Sequence, residues 1–230
     1  MRVHTDWLLT PERAALHLPT ATAVLADLHL GYDQARRRRG EAVPLFSLDE
    51  VVATLGPLFA RHAVRRLVIA GDLVEDGHGE APVGEFLDWL KGTGVELAGV
   101  VPGNHDRGLE RDPSRLPLCP EGFQLGRWRV FHGDGKLPEG RLVYGHFHPC
   151  LRWGKELAAP CFLAGVRHLV LPAFSADAAG VSVLRERRWR HYRCCAIAGD
   201  RVLDFGEVAE LNCRKRLLLR VVGHNGSDLA

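Results

Sequence analysis

The sequence has little that would mark a secreted or membrane-bound chain. Nothing in "MRVHTDWLLTPERAALHLP" forms the apolar region or the cleavage pattern of a secretory signal. No run approaches the eighteen or so apolar residues that a membrane span needs. Cysteine occurs six times, but there is no C-x-x-C pair, and Cys194 and Cys195 are adjacent. A reduced, cytoplasmic chain is therefore expected. Strong charge of one sign is also missing: the formal net charge of +2 is too small to identify a nucleic-acid binder by itself. Internal repeats and low-complexity linkers are absent. What remains is 230 residues that are 46% hydrophobic, enough for one domain with a sizeable core, and a single domain over 1–230 is expected. Charge is uneven locally. Basic stretches lie at 36–39, from Arg185 to Arg193, and at 214–216. Solvated faces are the plain reading of each alone.

Hydrophobic patterning divides the chain in two. Strands are expected at 14–18 and 22–26. The periodicity of Leu48, Val51, Val52, Leu55, Leu58 and Phe59 predicts a helix over 47–62, with Ser47 and Glu50 as a capping box and Pro57 as a point where it splits or kinks. "RRLVIAGD" reads as a buried strand, 83–91 as a short helix, and "VELAGVVPGN" as another buried strand. Strand, helix, strand, helix, strand is the order of an α/β unit with parallel strands. The second half offers a hairpin around Gly126 and then many short strands, an antiparallel meander by this reading, within one layered α/β fold that has a mixed sheet or two sheets. A strand and tail are expected over 213–230.

Each apolar strand runs into polar residues of one kind. The first ends at Asp27-Leu28-His29 and the second at Gly71-Asp72. The third ends at Gly103-Asn104-His105-Asp106, the fourth delivers His132, and the fifth delivers His146 and His148. Ligands in open α/β sheets collect at the carboxyl ends of the strands. Aspartates and histidines crowded at a sheet edge stay undersatisfied unless cations sit among them. Mixed carboxylate, imidazole and amide donors suit manganese, iron, cobalt or zinc better than magnesium or calcium. Manganese is the expected ion, with iron, zinc, cobalt or nickel as alternatives. The lack of cysteine at these strand ends argues against a structural zinc site. A carboxylate shared by two ions, with a water activated between them, suits phosphoester hydrolysis.

The blocks "DLHLG", "GDLV", "GNHDR", "FHGD" and "GHFHP", in that order over 27–148, resemble the calcineurin-like metallophosphoesterases. The resemblance implies a four-layer α/β/β/α fold around a two-sheet β-sandwich, with two divalent metal ions at one edge. It implies that Asp27, His29, Asp72 and His148 hold one ion, and that Asp72, Asn104, His132 and His146 hold the other. His105 would contact the phosphate and protonate the leaving oxygen, with Asp106 orienting it. The flanking stretches "LLTPERAALHLPTATAVLADLHLGYDQARRRRGEAVP", "YGHFHPCLRW" and "PCFLAGVRHLVLPAFSADAAG" are similar to the small phosphoesterases encoded beside a DNA ligase and a helicase. That similarity implies a nuclease of DNA damage response, with nucleic acid as substrate and ligase and helicase as functional associates. Arg36, Arg37 and Arg107 are then candidates for contact with substrate phosphates. A small-nucleotide phosphodiesterase or phosphatase is the alternative. A metal-dependent recruiting module with little turnover is a third reading. Outside the blocks, His4, His17, His62, His78, His168, His191 and His224 read as surface or packing residues, and Phe147, Trp153 and Phe174 as packing rather than base-stacking groups.

Overall fold

In a computed structural model, which describes residues 1–43, 47–75, 80–109, 116–154, 157–176, 178 and 180–213, the chain opens on three short antiparallel strands. These are β1 (Arg2–Val3), β2 (Trp7–Leu9) and β3 (Ala15–His17). β4 (Thr22–Leu25) turns back against β3, and α1 (Tyr32–Arg38) and α2 (Ser47–His62) follow. Then come β5 (Arg66–Ala70), α3 (Glu80–Thr93) and β6 (Glu96–Val101). These six strands form one sheet in chain order, with β4, β5 and β6 parallel. The helix expected at 47–62 is observed over that range and continues through Pro57. The one expected at 83–91 is longer, because its Pro82 falls in the first turn, where a missing N–H costs nothing. The Ser47 side chain, and with it the expected capping box, lies outside the described residues.

The second sheet holds β7 (Phe123–Leu125), β8 (Trp128–Phe131), β9 (Leu142–Tyr144), β10 (Pro149–Trp153), β11 (Leu157–Ala164), β12 (His168–Val170), β13 (Val181–Ser182), β14 (Arg193–Ala198) and β15 (Arg201–Glu207). The order is β13-β10-β11-β12-β9-β8-β7, with β14 joined to β11 and to β15. The expected antiparallel meander is corrected in part: β8–β9, β9–β12 and β10–β13 are parallel. Strand length and turn residues look alike for both pairings, so the pattern alone does not reveal the direction. The consequence is functional. Parallel β8 and β9 send His132 and His146 off the same sheet edge.

Alternation along the strands explains why their apolar runs are unbroken. Leu25, Leu67 and Ile69 face a core made with Leu55, Leu58 and Phe59 of α2 and Phe86 and Leu90 of α3. Their neighbours Val24, Val68 and Ala70 face Val130, Val143, Phe162 and Leu169 of the other sheet. The far side of the second sheet is covered thinly, by two 3-10 turns (Val183–Arg185 and Arg187–Trp189) and by residues 208–213, which are helical. Of the strand and tail expected over 213–230, residues 214–230 lie outside the described residues, and so does the basic stretch 214–216.

Candidate metal centre

The two sheets leave their carboxyl ends at one common edge. Past the end of β4, the chain goes on pairing with the chain past β5. Asp27 N–H donates to Gly71 O at 3.0 Å, His29 N–H to Asp72 O at 2.9 Å and Leu30 N–H to Leu73 O at 2.8 Å. This irregular ribbon sets Asp27, His29 and Asp72 side by side. From the second sheet, Gly145 N–H donates to His132 O at 2.9 Å and ties the end of β9 to the end of β8. A cross-link joins the two edges: His146 N–H donates to Asp27 Oδ2 at 3.0 Å. Within the first sheet, His105 N–H donates to Asp72 Oδ1 at 2.9 Å.

Local backbone is unusual here. Asp27, His29, Asp72, His146 and His148 all have positive φ, between 44° and 67°. Non-glycine residues rarely sit in the left-handed region and stay there only where their surroundings impose it. Two glycines of the blocks are required by close approach. A Cβ on Gly103 would fall on the Asp72 carboxylate, and one on Gly145 would lie 2.6 Å from Asp27 Oδ2.

Two groups of donors result. Asp27, His29 and His148 bring one ligand atom each to within 4.8 Å of one another, and so do Asp72, His132 and His146. Asn104 Oδ1 stands 3.2 Å from His132 Nε2 and extends the second group. Asp27, His29, Asp72 and His132 are all buried.

The donor chemistry of the second group fits a cation. His132 Nδ1 donates to Ala70 O at 3.2 Å, which leaves a lone pair on Nε2. That lone pair faces Asn104 Oδ1 at 3.2 Å and Asp72 Oδ2 at 3.4 Å, two oxygens that also only accept. His146 Nδ1 stands 3.1 Å from the same atom. A cation among these groups would satisfy their lone pairs together. Burial holds the pKa of His29 below the usual imidazole value, and burial together with nearby His132 does the same for His146. Both therefore favour the neutral form that ligates.

A third group was not foreseen from the sequence. Glu75, three residues after Asp72, is almost buried and sits between His29 and His105. Its Oε2 is 3.0 Å from His29 Nδ1, off the line along which that nitrogen would donate, and 3.8 Å from His105 Nδ1. Its backbone carbonyl accepts from His105 Nδ1 at 2.6 Å. No pattern marked this residue, since a lone glutamate after "GDLV" looks like any loop carboxylate.

The role expected for Asp106 is corrected. Its carboxylate does not reach His105. It accepts from Val74 N–H at 3.0 Å and Gly103 N–H at 2.9 Å, and so pins the 103–106 turn to the segment after β5. Burial pushes its pKa up to about 6 against those donors. Of the arginine candidates, Arg107 and Arg37 are exposed, and Arg36 donates through Nε to Glu41 at 2.8 Å. Phe174 is core, and Phe147 and Trp153 pack against the far-side core of the second sheet. His78 and His224 lie outside the described residues. A cavity of about 340 Å³ adjoins His148, with Arg13, Arg152 and Ser175 in its wall. The Arg13 guanidinium braces that wall by donating to the carbonyls of Phe174 at 3.1 Å and Ser175 at 2.8 Å.

Comparison with known proteins gives the family and the fold. A family model described as calcineurin-like phosphoesterase matches residues 21–160. Among curated proteins no match is found. Among solved structures, a nuclease named MPE from Pseudomonas putida superposes with a TM-score of 0.71 at 23% sequence identity, over 86% of this chain and 94% of that one. At that identity the likeness establishes a shared fold.

Proposed function

The chain belongs to the calcineurin-like phosphoesterase family, and from that premise we propose that it is a phosphodiesterase that cleaves nucleic acid, in the setting of DNA repair. The family makes it a metal-dependent phosphoester hydrolase. The observation that carries the metal reading is the set of acceptors converging on His132 Nε2. We assign Asp27, His29, Asp72 and His148 to one divalent ion. Asp72, Asn104, His132 and His146 go to the other, with Asp72 shared. The mixed nitrogen and oxygen donors suit a first-row transition metal; manganese is the ion proposed, with iron, zinc, cobalt and nickel as alternatives. When bound, such a pair neutralises phosphate charge and lowers the pKa of the attacking water.

The chain's own groups do the rest. With Nδ1 donating to Glu75 O, His105 keeps Nε2 for the substrate, where it contacts the phosphate and hands a proton to the leaving oxygen. The Glu75 carboxylate, 3.8 Å from that ring, compensates the imidazolium, and it sets a negative charge 3.0 Å from His29 Nδ1. Asp106 holds the turn that presents Asn104 and His105. Arg107, Arg36 and Arg37 supply positive charge for neighbouring phosphates.

Nucleic acid is favoured over a small nucleotide by three things: the basic stretches, the sequence resemblance to the ligase-associated enzymes, and the nuclease named among the solved structures. Association with a DNA ligase and a helicase, and a cytoplasmic location, belong to the same reading. Among the described residues no helix is long and apolar enough to cross a membrane.

The test is a panel of single- and double-stranded DNA, RNA, cyclic nucleotides, monoesters and an aryl phosphodiester, run with manganese. Cleavage of DNA or RNA is expected. Preference for monoesters would replace this reading with a phosphatase, and binding without turnover on any of them would leave a recruiting module. His105→Ala is expected to lower turnover with metal content retained. Loss of metal in that variant would make His105 a ligand.

A further inference from the structure

The loop that carries His146 and His148 is attached to a part of the chain that the proposed chemistry leaves unused. Phe147, between the two histidines, has its ring 5.1 Å from that of His146 and 5.8 Å from that of Trp189. Trp189 is buried, so the 3-10 turn Arg187–Trp189 is fastened against this loop. The Arg188 guanidinium lies 4.6 Å over Phe147 and 5.1 Å over Trp189. Around it, Arg185, Arg187 and Arg190 are exposed. Over 185–190 the chain carries four arginines and one glutamate, so its net charge is four minus one, or +3. The glutamate, Glu186, pairs with Arg188 at 2.8 Å in a half-exposed ion pair of a kind that holds weakly.

We propose that residues 185–190 form a phosphate-contacting lip, on which a nucleic-acid strand lies as it passes the centre. The inference rests on the nucleic-acid reading above and says where that strand goes. A substrate with one phosphate ends at the metal centre. Only one with further phosphates along its backbone reaches a turn that is separated from His146 by a single aromatic ring. An arginine stacked on two aromatic rings is held in place, sheds water more readily than lysine and can still offer N–H groups at its edge to phosphate oxygens. A freely solvated basic face would have no need of this packing. α1, with its own arginines, begins three residues after His29. Basic segments thus leave from the neighbourhood of both donor groups, as a strand continuing in both directions would require.

The test uses the manganese-loaded full chain and a variant with Arg185→Gln, Arg187→Gln, Arg188→Gln and Arg190→Gln together. The probes are a fluorescent single-stranded DNA of about thirty nucleotides and an aryl phosphodiester, with thermal melting as a check of folding. Single-stranded contacts contribute about 0.7 to the salt slope per phosphate, so the slope of binding against salt should fall by roughly two to three. KM for the DNA should rise about tenfold or more, with kcat on the aryl diester within about twofold of the parent. Four lysines at these positions should restore most of the salt slope. An unchanged KM and slope in a folded variant, while the parent cleaves DNA, would overturn the proposal. A matching loss of aryl-diester turnover would also overturn it, by placing the turn in the reaction centre. A parent that hydrolyses the aryl diester but neither binds nor cleaves nucleic acid would remove the nucleic-acid reading itself.

Discussion

The two sheets bring different chemistry to the same edge. The first supplies both aspartates, Asp27 and Asp72, with Asn104, His29 and His105. The second supplies imidazoles only: His132, His146 and His148. Neither donor group is complete on one sheet. The group of Asp27, His29 and His148 takes two members from the first sheet and one from the second. The group of Asp72, His132 and His146 takes one and two. The negative charge that a divalent ion needs thus comes from one layer. The neutral donors that keep the site from becoming too anionic come mainly from the other. A site divided in this way depends on the packing between the sheets as much as on its own side chains.

The largest way to break the division is at Asp72, the carboxylate that touches both edges through His105 N–H and His132 Nε2. Asp72→Asn should leave no measurable turnover of an aryl phosphodiester and less than half the bound metal of the parent by elemental analysis. A substantially active variant would refute a shared Asp72. Next in size is the seam itself. Phe162 and Phe86 are both fully buried, the first between the sheets and the second under α3. Truncation of either to alanine should cost about 3–5 kcal/mol by chemical denaturation. Only Phe162→Ala should also weaken metal binding, measured calorimetrically under conditions where both variants stay folded. Equal metal affinities would mean that the seam does not set the site.

A smaller effect is expected at Glu75, which contributes no sheet residue and braces His29 and His105 from the side. Glu75→Gln should reduce metal affinity by up to roughly tenfold, because it removes a negative charge beside His29 rather than a hydrogen bond to it. Titration of the metal should show it, and an unchanged affinity would reduce Glu75 to a packing role. Smallest is the response of the metal-free protein to pH. His29 and His146 have pKa values lowered by burial, so the unfolded chain takes up protons near 6.5 that the folded chain resists. Stability from these groups is therefore present above pH 6.5 and is lost as pH falls through it. Asp106 acts in the opposite sense. With its pKa raised to about 6, its burial cost is relieved as pH drops below 6. The melting temperature of chelator-treated protein should thus fall from pH 7 to 6 and fall less steeply below. A rise from pH 7 to 6 would contradict this account.

Much of the first sheet was legible in the chain. Apolar runs buried on both faces announced β4, β5 and β6, and the spacing of Leu55, Leu58 and Phe59 announced α2. The donors were legible because each follows an apolar run, and strand ends are where a sheet presents polar groups. Less could be read where contacts are remote or patterns short. β1 and β2 are too brief to show a period. The parallel pairing of β8 with β9 has no local signature. The family resemblance implied that Asp106 orients His105, but the turn directs its carboxylate toward Val74 and Gly103. Glu75 has no pattern around it. It is singled out only because the chain after β5 bends back between His29 and His105.

The sequence by itself determined which donors exist, their chemical types and the strand ends from which they hang, because hydrophobic periodicity and the breaks in it are local properties. It also placed glycines ahead of Asp72, Asn104 and His146. The tertiary structure alone decided which donors face one another, that Asp27 and His148 meet from different sheets, and that a basic turn near residue 188 stacks on Phe147. Those are contacts between residues far apart in the chain. They arise from the burial of two apolar sheet faces against each other, and no short stretch of sequence carries that information.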